Sequence, residues 1–263
     1  MGKIIAFANQ KGGVGKTTTC INISAYLAAM GKRVLVVDMD PQGNATSGLG
    51  VEKNRDIATL YDVIDGEKAA ADVVQKTALK GLDIIPSTVD LAGAEIELVQ
   101  KDARERVVKE ILTPFRNIYD YIMIDCPPSL GLLTVNALTA CDSVAIPIQC
   151  EFFALEGLSQ LMNTVKLVKK HLNASIDVEG VILTMKDSRS NLVQQVSQEI
   201  RRFFGQKVYS EAVPRSVRLA EAPSHGKPII LYEPKSKGAK AYMAITEEFL
   251  KRNKDSYKKI TLK

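Results

Sequence analysis

Lys11 and Lys16 bracket a glycine-rich run, Lys11-Gly12-Gly13-Val14-Gly15-Lys16-Thr17-Thr18, which follows a short apolar stretch and precedes a helix-like one. A loop of this composition between a strand and a helix can aim successive backbone N–H groups at phosphate oxygens, and the helix N-terminus adds a favourable dipole. Glycine suits the turn because a side chain would hold the phosphate away. Lys16 is placed to neutralise β- and γ-phosphates, and the Thr17 hydroxyl to ligate Mg2+. The ordinary pattern G-x-x-x-x-G-K-[ST] needs glycine at position 10, where this chain has Gln10, so the run departs from it by one residue and carries Lys11 as well.

Two acidic segments complete a candidate nucleotide site. Residues 121–125, YIMID, form an apolar run ending in Asp125, the pattern that helps hold Mg2+ at a sheet edge in phosphate-loop enzymes. Residues 34–40, VLVVDMD, end in Asp38 and Asp40, whose side chains share one face if the strand extends that far. Pro127 and Pro128 come shortly after Asp125 and restrict the backbone there.

Something must hold these groups together, and the hydrophobic pattern says what. Short β-rich runs recur at 4–8, 33–38, 82–86, 121–125, 143–148 and 180–185, separated by segments long enough for helices. In the first of these, Ile21, Ala25 and Ala28 mark one face and Gly31 stands where a helix should stop. The fold class expected is α/β: a mostly parallel sheet flanked by helices on both faces. Residues 38–50, DMDPQGNATSGLG, read as a loop beyond a strand end. That loop and the glycine run both fall at the crevice where open α/β sheets bind ligands.

At 263 residues and 46% apolar content, with no linker or internal repeat, the chain is expected to form one domain, 1–263. No stretch approaches 18 consecutive apolar residues and the N-terminus has no signal-peptide pattern, so a cytoplasmic location is expected. Cys20, Cys126, Cys141 and Cys150 form no C-x-x-C pair and find no histidine at metal-ligand spacing, which predicts reduced, buried thiols. The net charge of +5 is unevenly spread: from Lys186 onward there are 17 Lys/Arg against 8 Asp/Glu, while the preceding residues hold 18 against 22. A basic C-terminal portion from about 186 suits a nucleic-acid or anionic-membrane partner. Candidate DNA contacts are Lys186, Arg189, Arg201, Arg202, Arg215 and Arg218, and the lack of interleaved aromatic residues favours backbone contact to duplex DNA.

The variant K-G-G-V-G-K-T-T resembles the deviant Walker A box of the ParA/MinD group of P-loop ATPases. With VDMDPQGNAT, IDCPPSLG, CEFFALEGL and VPRSVRLAEAPSHGKPIILYEPKSKGAKAY, the resemblance narrows to the chromosomal ParA/Soj branch and covers nearly the whole chain. It implies a single-domain P-loop NTPase that uses ATP and Mg2+ with slow intrinsic turnover. ATP would drive homodimerisation, with Lys11 reaching the partner's phosphates. The dimer would bind double-stranded DNA without sequence preference on the nucleoid until a ParB/Spo0J-type partner stimulates hydrolysis. By the same resemblance Asp40 positions the attacking water, Asp38 contacts the Mg2+ water shell, and Pro214 lines the adenine pocket. With its first strand at residue 4, operator-specific DNA binding is not expected.

Three other readings share parts of this pattern. A MinD-like membrane ATPase positioning the division site needs a C-terminal amphipathic helix, whereas the tail FLKRNKDSYKKITLK has few apolar positions among six Lys/Arg, so no membrane partner is expected. An iron–sulfur ATPase of the nitrogenase reductase kind needs a cysteine context absent around Cys126 and Cys141. A nucleotide-sensing scaffold would not require Asp40.

Overall fold

The computed structural model describes residues 1–54, 56–151, 153–187 and 190–262. Among them, the apolar runs become a seven-stranded sheet: β1 (Lys3–Phe7), β2 (Val34–Asp38), β3 (Gln75–Lys76), β4 (Leu82–Ile85), β5 (Tyr121–Asp125), β6 (Ser143–Gln149) and β7 (Asp177–Thr184), in the order β3-β4-β2-β5-β1-β6-β7. All pairings are parallel except β3 with β4. The helices are α1 (Lys16–Ala29), α2 (Asn44–Gly48), α3 (Leu60–Asp65), α4 (Leu91–Gln100), α5 (Val107–Leu112), α6 (Leu132–Ala140), α7 (Ala154–His171), α8 (Asn191–Phe204), α9 (Val217–Glu221), α10 (Ile229–Tyr232) and α11 (Lys237–Arg252).

Strand residues alternate between two cores, as the two-residue repeat of a strand requires. Ile4, Ala6, Leu35, Val37, Ile122 and Ile124 face one apolar cluster with α3 to α8. Ile5, Phe7, Val34, Val36, Tyr121 and Met123 face the other, with α1 and α11. Both faces of β2 and β5 are therefore covered, which explains why each reads as an unbroken apolar run.

Register brings the chemistry together. Phe7 and Asp38 both pair with Asp125, so β1, β2 and β5 end side by side. From there β1 leads into the glycine loop, while β6 lies on its other side, which makes this the switch point of the strand order.

Four details differ from the sequence reading. β2 stops at Asp38, so Asp40 sits beyond the strand rather than sharing its face. The stretch 38–50 contains α2 as well as loop, because Gly43, at φ 61°, turns the chain into a helical turn. α1 is buried almost all round, sandwiched between the sheet and α11, not along one stripe. β3 is a two-residue antiparallel edge with no apolar run to announce it. Gly31, at φ 95°, does end α1 in the left-handed conformation that favours glycine.

Candidate nucleotide site

The glycine loop is built to present N–H groups. Gly13 and Gly15 have φ of 72° and 86°, a region that side chains rarely adopt. Among the described residues, the backbone N–H groups of Gly12, Gly13, Val14 and Gly15 have no backbone acceptor. Donors without partners at the start of α1 form an anion cradle.

The two lysines point to different places. Lys16 is 6% exposed, and its Nζ donates to the Lys11 carbonyl at 3.1 Å, folding the cation back over the loop. Burial lowers its pKa, while Asp125, Cys126 and Asp40 pull it back up. Lys11 is anchored through its backbone N–H, which donates to Asn9 Oδ1 at 3.0 Å, with Asn9 held in turn on the Pro147 carbonyl at 2.8 Å. Its side chain leaves the cradle and pairs with Glu151 at the exposed mouth between β6 and α7.

Three carboxylates face the loop in different states. Asp125 is fully buried, and among the described residues neither of its oxygens is in a well-formed hydrogen bond, the Thr17 hydroxyl only lying close by. Burial pushes its pKa well above the ordinary range, the Asp38 charge adds to this, and the Thr17 hydroxyl and Lys16 offset part of it. Such an orphaned carboxylate beside a hydroxyl fits a hard divalent cation, which takes oxygen ligands. Asp38 is committed elsewhere: Oδ2 accepts from Thr46 N at 2.8 Å and Thr46 Oγ1 at 2.7 Å, and Oδ1 from Asp40 N at 3.2 Å. Burial still lifts its pKa to about 6 against those bonds. Asp40 accepts from Gln42 N at 3.0 Å through Oδ1, and its backbone carbonyl is held by Ser87 Oγ at 2.9 Å.

Beside the loop lies a cavity of about 190 Å³ whose walls include Gly15, Thr18, Met185, Pro214, Leu219 and Tyr242. A mainly apolar slot adjoining an anion cradle is the shape needed for an aromatic base attached to phosphates.

A family model described as an AAA domain matches residues 2–178. The chain is 60% identical over 248 residues to the sporulation initiation inhibitor protein Soj of Bacillus subtilis (strain 168), covering 94% of this chain and 98% of that protein. It is 53% identical over 253 residues to the chromosome partitioning protein ParA of Myxococcus xanthus (strain DK1622), covering 96% and 89%. The chain belongs to the Soj/ParA family of chromosome-partitioning ATPases. Its fold is also shared with a solved structure of cobyrinic acid a,c-diamide synthase from Mycobacterium smegmatis with bound ADP and magnesium, at a TM-score of 0.85 and 34% identity, over 99% of this chain and 100% of that one.

In this ParA-family chain the basic candidates fall into two groups. Lys186 follows β7 and is bridged to Pro214, which brings it near exposed Arg215 at the wall of the same cavity. Arg218 is exposed on α9 and paired with Glu221 at 2.9 Å. Arg201 and Arg202 are exposed on α8. Arg189 lies outside the described residues. The four cysteines are free and buried. The tail does not stand off as a helix: Tyr257, Ile260 and Leu262 pack on the α1-side core, and Lys258 N donates to the Met30 carbonyl at 3.1 Å. No helix among the described residues is long and apolar enough to cross a membrane.

The sequence reading gave no role to Thr46, Ser87 or Glu151. Thr46, in the short α2, and Ser87, in the loop after β4, are short hydroxyl residues with no pattern to distinguish them from ordinary turn residues. Glu151 stands in the quoted CEFFALEGL segment, where an acid near the loop could have been matched to Lys11.

Proposed function

We propose that this chain is an ATP-gated homodimeric switch that hydrolyses ATP to ADP and phosphate and binds double-stranded DNA without sequence preference in its ATP-bound form. The observation that carries this reading is the division of the lysines: Lys16 folds inward over its own loop, whereas Lys11 is directed outward to a half-exposed partner. A cation turned away from its own cradle can serve the phosphates of a second subunit.

Within each subunit, Gly12 to Gly15 with Lys16 and Thr18 would hold the phosphates, and the Pro214 slot the adenine. Thr17 and Asp125 would hold Mg2+, with Asp38 near its water shell while it anchors the loop through Thr46; the cation would supply charge neutralisation to the phosphates. Asp40, fixed by Gln42 and Ser87, would orient the attacking water. Face-to-face closure would merge two basic surfaces, multiplying phosphate contacts to DNA and making retention nucleotide-dependent. Release would follow when a ParB/Spo0J-type centromere-binding partner accelerates the slow intrinsic turnover, consistent with a nucleoid-associated partitioning role. The packed tail supports this reading over a MinD-like one, because its apolar side chains are already used inside the fold.

Retention on plasmid DNA and on anionic liposomes, each measured with ATP, ADP and no nucleotide, tests the proposal. DNA retention with ATP alone is expected, and it should fall linearly in log affinity against log salt. Retention on liposomes instead, or DNA binding indifferent to nucleotide, would contradict it.

A further inference from the structure

The glycine loop is held from outside by a residue that no nucleotide-binding pattern includes. Thr184 closes β7, is 2% exposed, and donates from Oγ1 to the Val14 carbonyl at 2.7 Å. A trans peptide sets its C=O and N–H in opposite directions. A Val14 carbonyl directed at Thr184 therefore turns the Gly15 N–H the other way, into the concavity of the loop.

This peptide needs such a clamp. Its orientation depends on ψ of Val14 and φ of Gly15, and glycine takes either sign of φ at little cost. Rotated over, the same peptide would present a carbonyl oxygen to the phosphates in place of a donor. The clamp itself is firm: a Cβ on Gly15 would lie 3.7 Å from Thr184 Cγ2 and 3.8 Å from Thr184 Cβ, so the side chain is packed against the loop. The strand end is laced to the next segment by Val213 N on the Leu183 carbonyl at 2.8 Å and Lys186 N on the Val213 carbonyl at 3.0 Å. Thr184 also lines the base cavity, so one strand end sets both the slot wall and the peptide beside it.

We infer that Thr184 is a positioning residue for phosphate binding, fixing the Val14–Gly15 peptide with its N–H toward the nucleotide. This rests on reading residues 11–18 as the phosphate loop. The test is calorimetric titration of ADP and of adenosine, which has base and ribose but no phosphate, into the wild-type protein, Thr184→Val and Thr184→Ser. Loss of one oriented donor should weaken ADP binding by about tenfold in Thr184→Val, clearly more than it weakens adenosine binding through the slot wall, with Thr184→Ser close to wild type for both. Wild-type ADP affinity in Thr184→Val, or an equal loss for ADP and adenosine, would overturn the inference. Thr184→Ala, which adds no atoms, gives the same comparison where valine is not accommodated. A wild-type protein that binds ADP no more tightly than adenosine would instead refute the phosphate-loop reading itself, and that result needs no variant.

Discussion

Asp125→Asn should make the nucleotide-free protein more stable while removing its response to Mg2+ and nucleotide. Asp125 is fully buried with neither oxygen in a well-formed hydrogen bond among the described residues, and Asp38 ends the neighbouring strand beside it. The folded state raises the pKa of both acids, Asp38 to about 6 and Asp125 well above the ordinary value of 3.8, burial being the main cause in each. The folded form thus binds more protons than the unfolded one, so stability from these groups is fully present below about pH 4 and lost as pH rises through their folded pKa values. A buried carboxylate left without partners costs about 3 kcal/mol. For a chain of this size each kcal/mol moves the melting temperature by about 2–4 °C, which gives about 6–12 °C for the variant at pH 8. Melting followed by circular dichroism in EDTA, from pH 4 to 8, reads this directly. The gap between Asp125→Asn and wild type should widen with pH, and adding Mg2+ and ADP should stabilise the wild type alone. A variant no more stable than wild type at pH 8, or a gap that narrows as pH rises, would refute the argument.

Other substitutions separate the remaining roles. Asp40→Ala should keep ATP binding but stop turnover, leaving an ATP-bound dimer on DNA, as phosphate release and DNA pelleting would show. Lys16→Ala removes the inward cation and should abolish measurable ATP binding by calorimetry, and DNA retention with it. Gly12→Val adds a side chain whose Cβ meets only Pro128 Cβ, at 3.7 Å, so melting without nucleotide should change by no more than about 0.5 kcal/mol. The same side chain should block ATP-dependent dimerisation in sedimentation velocity.

The central strands were legible because burial on both faces leaves an unbroken apolar record: β2 and β5 appear in the sequence almost residue for residue. The glycine loop was legible because its positive-φ positions restrict the residue type. What was missed depends on tertiary partners. Whether Asp38 is free or bound turns on Thr46, eight residues away, and the Asp40 loop is held by Ser87 from β4's exit. β2 ends at Asp38, where the apolar run read at 33–38 also ends, so the condition on which Asp38 and Asp40 would share a face is not met. The tail looked like a sparse amphipathic segment because its three apolar residues are spaced for an irregular strap over α1, not for a helix face.

The central claim is that Lys11 acts on the partner subunit and not on its own. Sedimentation velocity of Asp40→Ala with ATP, set beside the double variant Lys11→Ala/Asp40→Ala with calorimetric ATP affinity for both, tests it most directly. The account predicts a dimer for the first and a monomer for the second, at ATP affinities within about threefold when measured at protein concentrations where neither dimerises, since a contact made only across the interface is worth little to one subunit. A double variant that still dimerises, or one that loses ATP binding in step with dimerisation, would contradict it.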